Sequence, residues 1–365
     1  MLWGLVYFFF YFYVLLLISV ILYAIPASKD ILNYHKFKNL SRFSYVTGFD
    51  SYHILIVPLF LLYFINFVWS GPFITSWFGC IIFSGFQAKI SYFIFFFFFL
   101  ILTVYTSSFY FSSNEIWDYF AVCFNFLIWM LFLFFSNTIF TVIFFIEILS
   151  NLIFLLLITS VFSTTYFYNN LNLNLHSYFA PSTPLLYIQT LLYFFWISLI
   201  SSINLFFFLI LFYIKFLSFD WFLIEFIFYY ILSLNDLKEL FFLVFIWLNL
   251  LFCIFLKCGL VPFYFWKPVF FKGIPLHTLF FYILFFYFFI FLFFIYFFLI
   301  YVNEIFYFFI YVNIFLLVFG FLFLFFILVE AFYLKTFLAL SSILNTLFVF
   351  LAISGTTLTD LIFSL

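Results

Sequence analysis

Phe-Leu-Lys-Cys-Gly-Leu-Val-Pro-Phe-Tyr-Phe-Trp-Lys-Pro-Val-Phe-Phe-Lys-Gly-Ile-Pro-Leu, running from Phe255 to Leu276, decides how the rest of the chain is read. An almost uncharged apolar run starts at Leu240 and carries Lys257 near its end. Pro262 then interrupts the run, and Pro268, Gly273 and Pro275 follow. A lysine deep in a lipid-spanning segment is costly unless it faces a bundle interior or a hydrated cavity. Proline lacks an N–H and clashes with the carbonyl four residues back, here that of Cys258. A freed carbonyl beside a buried charge is how broken-helix ion sites are built in membrane transporters. The alternative is a lysine near a helix end whose ammonium snorkels to the headgroups.

Composition sets the class. Of the 365 residues, 70% are hydrophobic and 6% charged, and the mean hydropathy is +1.39. That balance predicts an all-α integral membrane protein with lipid around it. A net charge of −1 excludes a basic nucleic-acid footprint, so no nucleic-acid partner is expected. Eighty phenylalanines against nine glycines point to drift toward T-rich codons, as in an AT-rich organellar genome. The aromatic excess is therefore read as drift on lipid-facing positions and not as a stacking site. Cys80, Cys123, Cys253 and Cys258 show no Cys-x-x-Cys spacing and read as small apolar residues. No cofactor site is visible in the chain.

Glu147 is the second anchor. It sits in Phe-Phe-Ile-Glu-Ile-Leu-Ser-Asn near the middle of an apolar run, with no other charge between Asp118 and Lys215. Ser150 and Asn151, three and four residues on, share its helical face and offer hydrogen-bonding groups. A carboxylate so placed either pairs with a distant cation or is a protonated, locally bonded structural contact.

Apolar runs predict about ten transmembrane helices. Leu2 to Ala24 is a full-length span; no basic n-region precedes it, so it reads as a retained first helix. Phe37, Leu40 and Phe43 then fit a short interfacial helix opposite Lys29, Lys36, Lys38 and Arg42. Further spans are expected near Ile54–Trp69 and Ile90–Phe111, from Asn114 to Phe135, from Thr138 to Phe162, and from Leu185 to Phe216. The last of these carries Gln189, Thr190, Ser198, Ser201 and Ser202, which either line a hydrated path or join helices. The loop from Ser163 to Pro184 holds His176, to which no role is assigned. Ser218–Leu234 is too short to span comfortably and reads as interfacial or re-entrant. The broken helix lies near residues 240–265, followed by spans at Leu276–Val302, Ile305–Val329 and Leu334–Ile353. Odd-numbered loops hold the basic clusters, with Lys267 and Lys272 counted in the loop after the seventh span. By the positive-inside rule those loops face the matrix-like side and both chain ends the other.

The Lys257–Leu276 stretch resembles the signature of subunit 2 of respiratory complex I, the NADH:ubiquinone oxidoreductase. That family reads Lys-Leu-Gly-x-x-Pro-Phe-His-x-Trp-x-Pro-Asp/Glu-Val, then Gly-Ile-Pro or Gly-Ala-Pro. This chain departs from it at Tyr264, where histidine is usual, and at Phe270. Ile-Glu-Ile-Leu-Ser around Glu147 resembles the family's Gly-Ile-Glu-Leu-Leu-Ser, and Leu334–Asn345 resembles its Leu-Lys/Arg-x-x-x-Ala/Gly-Tyr-Ser-Ser-Ile-x-His, with Asn345 where histidine is expected.

The resemblance implies an antiporter-like proton-pumping subunit of the mitochondrial inner membrane. Residues 1–365 would form a single polytopic domain and a partial inverted-repeat bundle. The first three helices would fill 1–112, the first repeat with its broken helix 113–275, and an incomplete second repeat 276–365. It implies that Lys257 and Glu147 are the interacting proton-relay charges, supported by Ser150, Asn151 and Pro262. FMN, iron–sulfur clusters and ubiquinone are expected in other subunits, and the partners are the other membrane-arm subunits. A second lysine, usual in the eighth helix, would fall at Tyr287, and none occurs between Lys272 and Lys335. Tyr282 and Tyr287 are the candidates for a water chain there. The family has about fourteen spans in two repeats. A separate chain is therefore expected to supply about four helices, meeting an otherwise exposed polar flank of Glu147, Lys257, Ser341, Ser342 and Asn345. Two rival functions remain: a membrane-arm scaffold that has lost pumping, and a cation/proton antiporter subunit of the related exchangers.

Overall fold

The structure, a computed structural model, describes residues 74–76, 79–83, 85–108, 116–168, 184–234, 237–260, 263–290, 292–293, 310–329 and 334–353. The expected spans Leu2–Ala24 and Ile54–Trp69, the interfacial helix around Phe37, the loop around His176 and Pro262 lie outside the described residues. The chain divides into two units, one of Met1–Ser136, Ile148–Ala180 and Pro275–Phe285, the other of Asn137–Glu147, Pro181–Ile274 and Phe286–Leu365.

The first unit departs from the all-α expectation by a small hairpin. Strands β1 (Ile74–Ser76) and β2 (Ile81–Phe83) pair antiparallel with Ile74 opposite Phe83 and Ser76 opposite Ile81. Gly79, with φ +85°, supplies the left-handed residue that the reversal needs. Helix α1 (Gly85–Ser108) packs on α2 (Ile116–Phe135). The buried Gln87 side chain donates to the Phe134 carbonyl at 3.2 Å. Phe98, wholly buried, meets Phe124 at 5.5 Å and Phe285 at 5.4 Å. Such ring packing matters because lipid, unlike water, offers no hydrophobic drive between helices.

Helix α3 (Ile139–Tyr168) begins in the second unit and continues into the first. Its start is fixed by a reciprocal cap: the Thr141 N–H donates to Thr138 Oγ1 and the Thr138 N–H to Thr141 Oγ1.

The second unit is a layered set of helices. α4 (Pro184–Phe216) packs along α6 (Leu237–Cys258), with the shorter α5 (Trp221–Leu234) joining them. At 1.5 Å per residue the fourteen residues of α5 reach about 21 Å, short of a bilayer core. Lys215 in the last turn of α4 pairs with Glu239 in the first turn of α6, each charge at the helix end whose dipole favours it. α7 (Trp266–Gly273) lies between α4 and α10 (Leu334–Ile353), and α9 (Ile310–Val329) packs on α10. α8 starts at Leu276, passes through a π-helical turn at Tyr282–Tyr287 and is helical again to Ile290.

Among the described residues, three helical stretches are long and apolar enough to cross a membrane: Ile139–Ser160, Leu186–Phe216 and Lys238–Cys258. Along α4 the exposed face is apolar apart from Gln189 near its start, and includes Ile188, Trp196, Ile203, Phe207 and Ile210. Such a face belongs in hydrocarbon or against a partner. The hydroxyls of Ser198, Ser201 and Ser202 bond back to carbonyls of their own helix.

At Gly273, α7 comes close against α4. A Cβ on Gly273 would run into the side chain of the buried Thr190. Gly273→Ala is therefore expected to destabilise the chain by about 2 kcal/mol, as overpacking does. Thr190→Ala in the same chain should recover at least half of that loss. Thermal unfolding in mild detergent checks both; equal melting of single and double variants would contradict the packing argument.

Candidate functional site

The apolar run before Gly259 forms α6, and the helix ends at Cys258, ahead of Pro262. This moves the break from where the proline placed it. Gly259 adopts φ +64°, a left-handed conformation that costs glycine little. The Gly259 N–H donates to Leu256 O at 3.3 Å and the Leu260 N–H to Phe255 O at 2.9 Å. That pair of bonds is a Schellman cap, and it terminates the helix without help from a proline clash.

The ring nitrogen of Trp266 donates to Leu256 O at 3.1 Å, and Lys267 Nζ donates to Cys258 O at 3.3 Å. The carbonyls at the end of α6 are thus met largely by α7, the helix that follows the break. Trp266 and Phe270 are held in turn by Phe194 of α4, at ring distances of 6.1 and 5.4 Å. At the far end of α7, Lys335 Nζ donates to Ile274 O at 2.9 Å and to Lys272 O at 3.4 Å. A cation there also suits the negative pole of α7.

Lys257 occupies the last turn of α6 and Glu147 the middle of the apolar run of α3. Lys257 Nζ donates to Glu147 Oε1 at 2.6 Å, across 110 residues of sequence. The lysine side chain is 14% exposed and the carboxylate 15%, so the ion pair is mostly withdrawn from its surroundings. Lys257 does not snorkel. It sits between a carboxylate and the negative end of its own helix. Cys253, one turn earlier, lies close enough to feel both charges. Asn249, a further turn back on the same stripe, buries its amide nitrogen with no acceptor among the described residues.

Of the supporting residues, Ser150 is buried and Asn151 exposed, so Asn151 is not part of the buried set. Pro262 is outside the described residues. Tyr282 and Tyr287 are both buried, and the Tyr287 hydroxyl donates to Ser342 O at 3.3 Å. The expected polar flank is met differently. Ser341 Oγ donates to Leu338 O at 3.0 Å and Ser342 Oγ to Ala339 O at 2.7 Å, both within α10. Asn345 is exposed. Glu147 and Lys257 also satisfy each other. Tyr264, where the resemblance expects histidine, packs edge-on to Phe323 at 5.8 Å.

Lys267 is the residue that sequence reasoning misplaced. Counted there among the basic loop residues, it is wholly buried on α7. Its Nζ donates to the Tyr287 hydroxyl as well as to Cys258 O, and lies 3.8 Å from the Tyr287 ring centroid. Lys267 therefore leaves the positive-inside count, whereas Lys272 is exposed and stays in it. A signal was present: Lys267 and Phe271 are four residues apart and share a helical face, and Phe271 is fully buried.

No family model matches the sequence, and no curated protein matches it.

Proposed function

We propose that this chain is an antiporter-like subunit of the membrane arm of respiratory complex I, of the subunit 2 type. It would lie in the mitochondrial inner membrane as a bundle of about ten spans, coupling quinone reduction elsewhere in the enzyme to proton movement here. The observation that carries this proposal is the 2.6 Å bond between Lys257 and Glu147 at the mouth of a broken helix. The two charges stand in the two motifs that resemble the family's. Lysine and carboxylate at such a distance form an ion pair largely withdrawn from water. At an effective dielectric near 20, a unit charge about 4 Å away is worth about 4 kcal/mol. Separating the pair would therefore remove that attraction from both groups. The amide of Asn249, buried without a protein acceptor among the described residues on the Lys257 stripe, supports a route by which water meets the pair.

The test is Lys257→Ala in the native membrane. Proton translocation per NADH oxidised is expected to fall by about tenfold or more, with the amount of assembled complex within about twofold of normal. An unchanged proton yield would leave the scaffold reading. Cation-driven proton flux without quinone turnover would point to the exchanger. Failure to assemble would make Lys257 a structural residue.

A further inference from the structure

We propose that Lys267, bonded to the Tyr287 hydroxyl, is a second proton-exchanging group of this chain, placed on the far side of the helix break from Lys257. The inference rests on the proton-relay function proposed above. Three observations carry it. Lys267 is wholly buried, its ammonium meets only a carbonyl and a phenol, and no carboxylate lies within ion-pair distance among the described residues. If the Cys258 carbonyl needed only a cap, a neutral donor would do it without the cost of a buried charge. A lysine can give its proton up and remain a hydrogen-bonding amine.

The surroundings fit exchange. Among the described residues, the titratable groups facing Lys267 are the phenol of Tyr287 on α8 and the thiol of Cys258 at the end of α6. Cys258 also feels Lys257, so the two amines have a common neighbour at the break. α10 brings Lys335, but to the opposite end of α7. Tyr287 accepts from Lys267 on one side and donates to Ser342 O on the other, at the end of a π-helical turn. Such turns recur at functional sites because the widened backbone frees a hydrogen bond. Loading adds one proton to the neutral amine. In release, an N–H proton moves onto the Tyr287 oxygen as the phenol's own proton leaves to water. The phenol ends unchanged, the amine is neutral, and no electrons move.

The experiment uses the assembled complex in native membrane vesicles, reading protons moved per NADH oxidised alongside the amount of complex. Lys267→Met is expected to lower the proton yield by about tenfold. Lys267→Arg keeps the charge and the carbonyl bond but cannot deprotonate, so it should fail as well. Tyr287→Phe removes one oxygen and should slow translocation by about fivefold. Full yield in the Arg variant would overturn the proposal and make Lys267 a cap; so would full yield in the Met variant. Where Lys267→Met does not assemble, Tyr287→Phe decides, and unchanged translocation there overturns the proposal. Lys257→Ala runs beside them. Loss at Lys257 with none at Lys267 or Tyr287 defeats this inference alone, whereas no loss at any of the three defeats the relay function itself.

Discussion

Glu147→Ala, made with Lys257 in place, is expected to destabilise the folded chain by about 3–5 kcal/mol. The acceptor of the 2.6 Å bond is removed, and an ammonium only 14% exposed is left without its carboxylate. The negative end of α6 offsets part of this, by about 1 kcal/mol. Lys257→Ala alone strands the carboxylate instead. The double variant strands neither charge. Its loss should be smaller than the sum of the singles by at least about 2 kcal/mol. Glu147→Gln is the graded control, since its carbonyl oxygen can still accept from Lys257 while the charge is gone. Thermal unfolding of the four chains in one detergent gives the cycle. Additive losses would mean that the two side chains touch without depending on each other.

Gly259→Ala should cost about 3 kcal/mol, which is large for one methyl group. Two effects add. The φ of +64° is left-handed, where a Cβ costs about 1–2 kcal/mol. The new Cβ would also stand 3.1 Å from Lys267 Cδ and 3.2 Å from the Trp266 ring. The lysine stem can yield, but the indole is held by its bond to Leu256 O and by Phe194. Gly79→Ala separates the two effects. Its φ is +85°, yet nothing lies within 4 Å of the added carbon. That variant should lose only the backbone part, about 1–2 kcal/mol. Equal losses at the two glycines would show that the approach of Lys267 to Gly259 carries no weight. Pushing Lys267 aside should also lower the proton yield in Gly259→Ala, and not in Gly79→Ala.

Sequence alone determined most of the helix plan and one pair of residues. A run such as Leu334–Ile353 is recognisable because hydrocarbon selects for unbroken apolar sequence, and α10 has those bounds. The runs ending at Phe135 and Phe216 likewise coincide with the ends of α2 and α4. Glu147 and Lys257 stood out because each is a lone charge in an apolar run, and a buried charge must find a partner. The hairpin at Ile74–Phe83 was not legible: three-residue strands in a Gly- and Ser-rich connection carry no period. The helix break was legible only approximately. Proline advertises itself, whereas the left-handed turn at Gly259 depends on cap hydrogen bonds that a glycine in the sequence does not specify. Lys267 was decided by tertiary structure alone. In the sequence it stands between Trp266 and Pro268 in a stretch already interrupted by prolines, which reads as a loop. Its burial is set by Gly259 beneath its stem, the free carbonyl of Cys258, and a phenol 20 residues further on. Local pattern records whether a residue can tolerate lipid, but the partners that let a charge leave water lie far away in the chain and meet it only on folding.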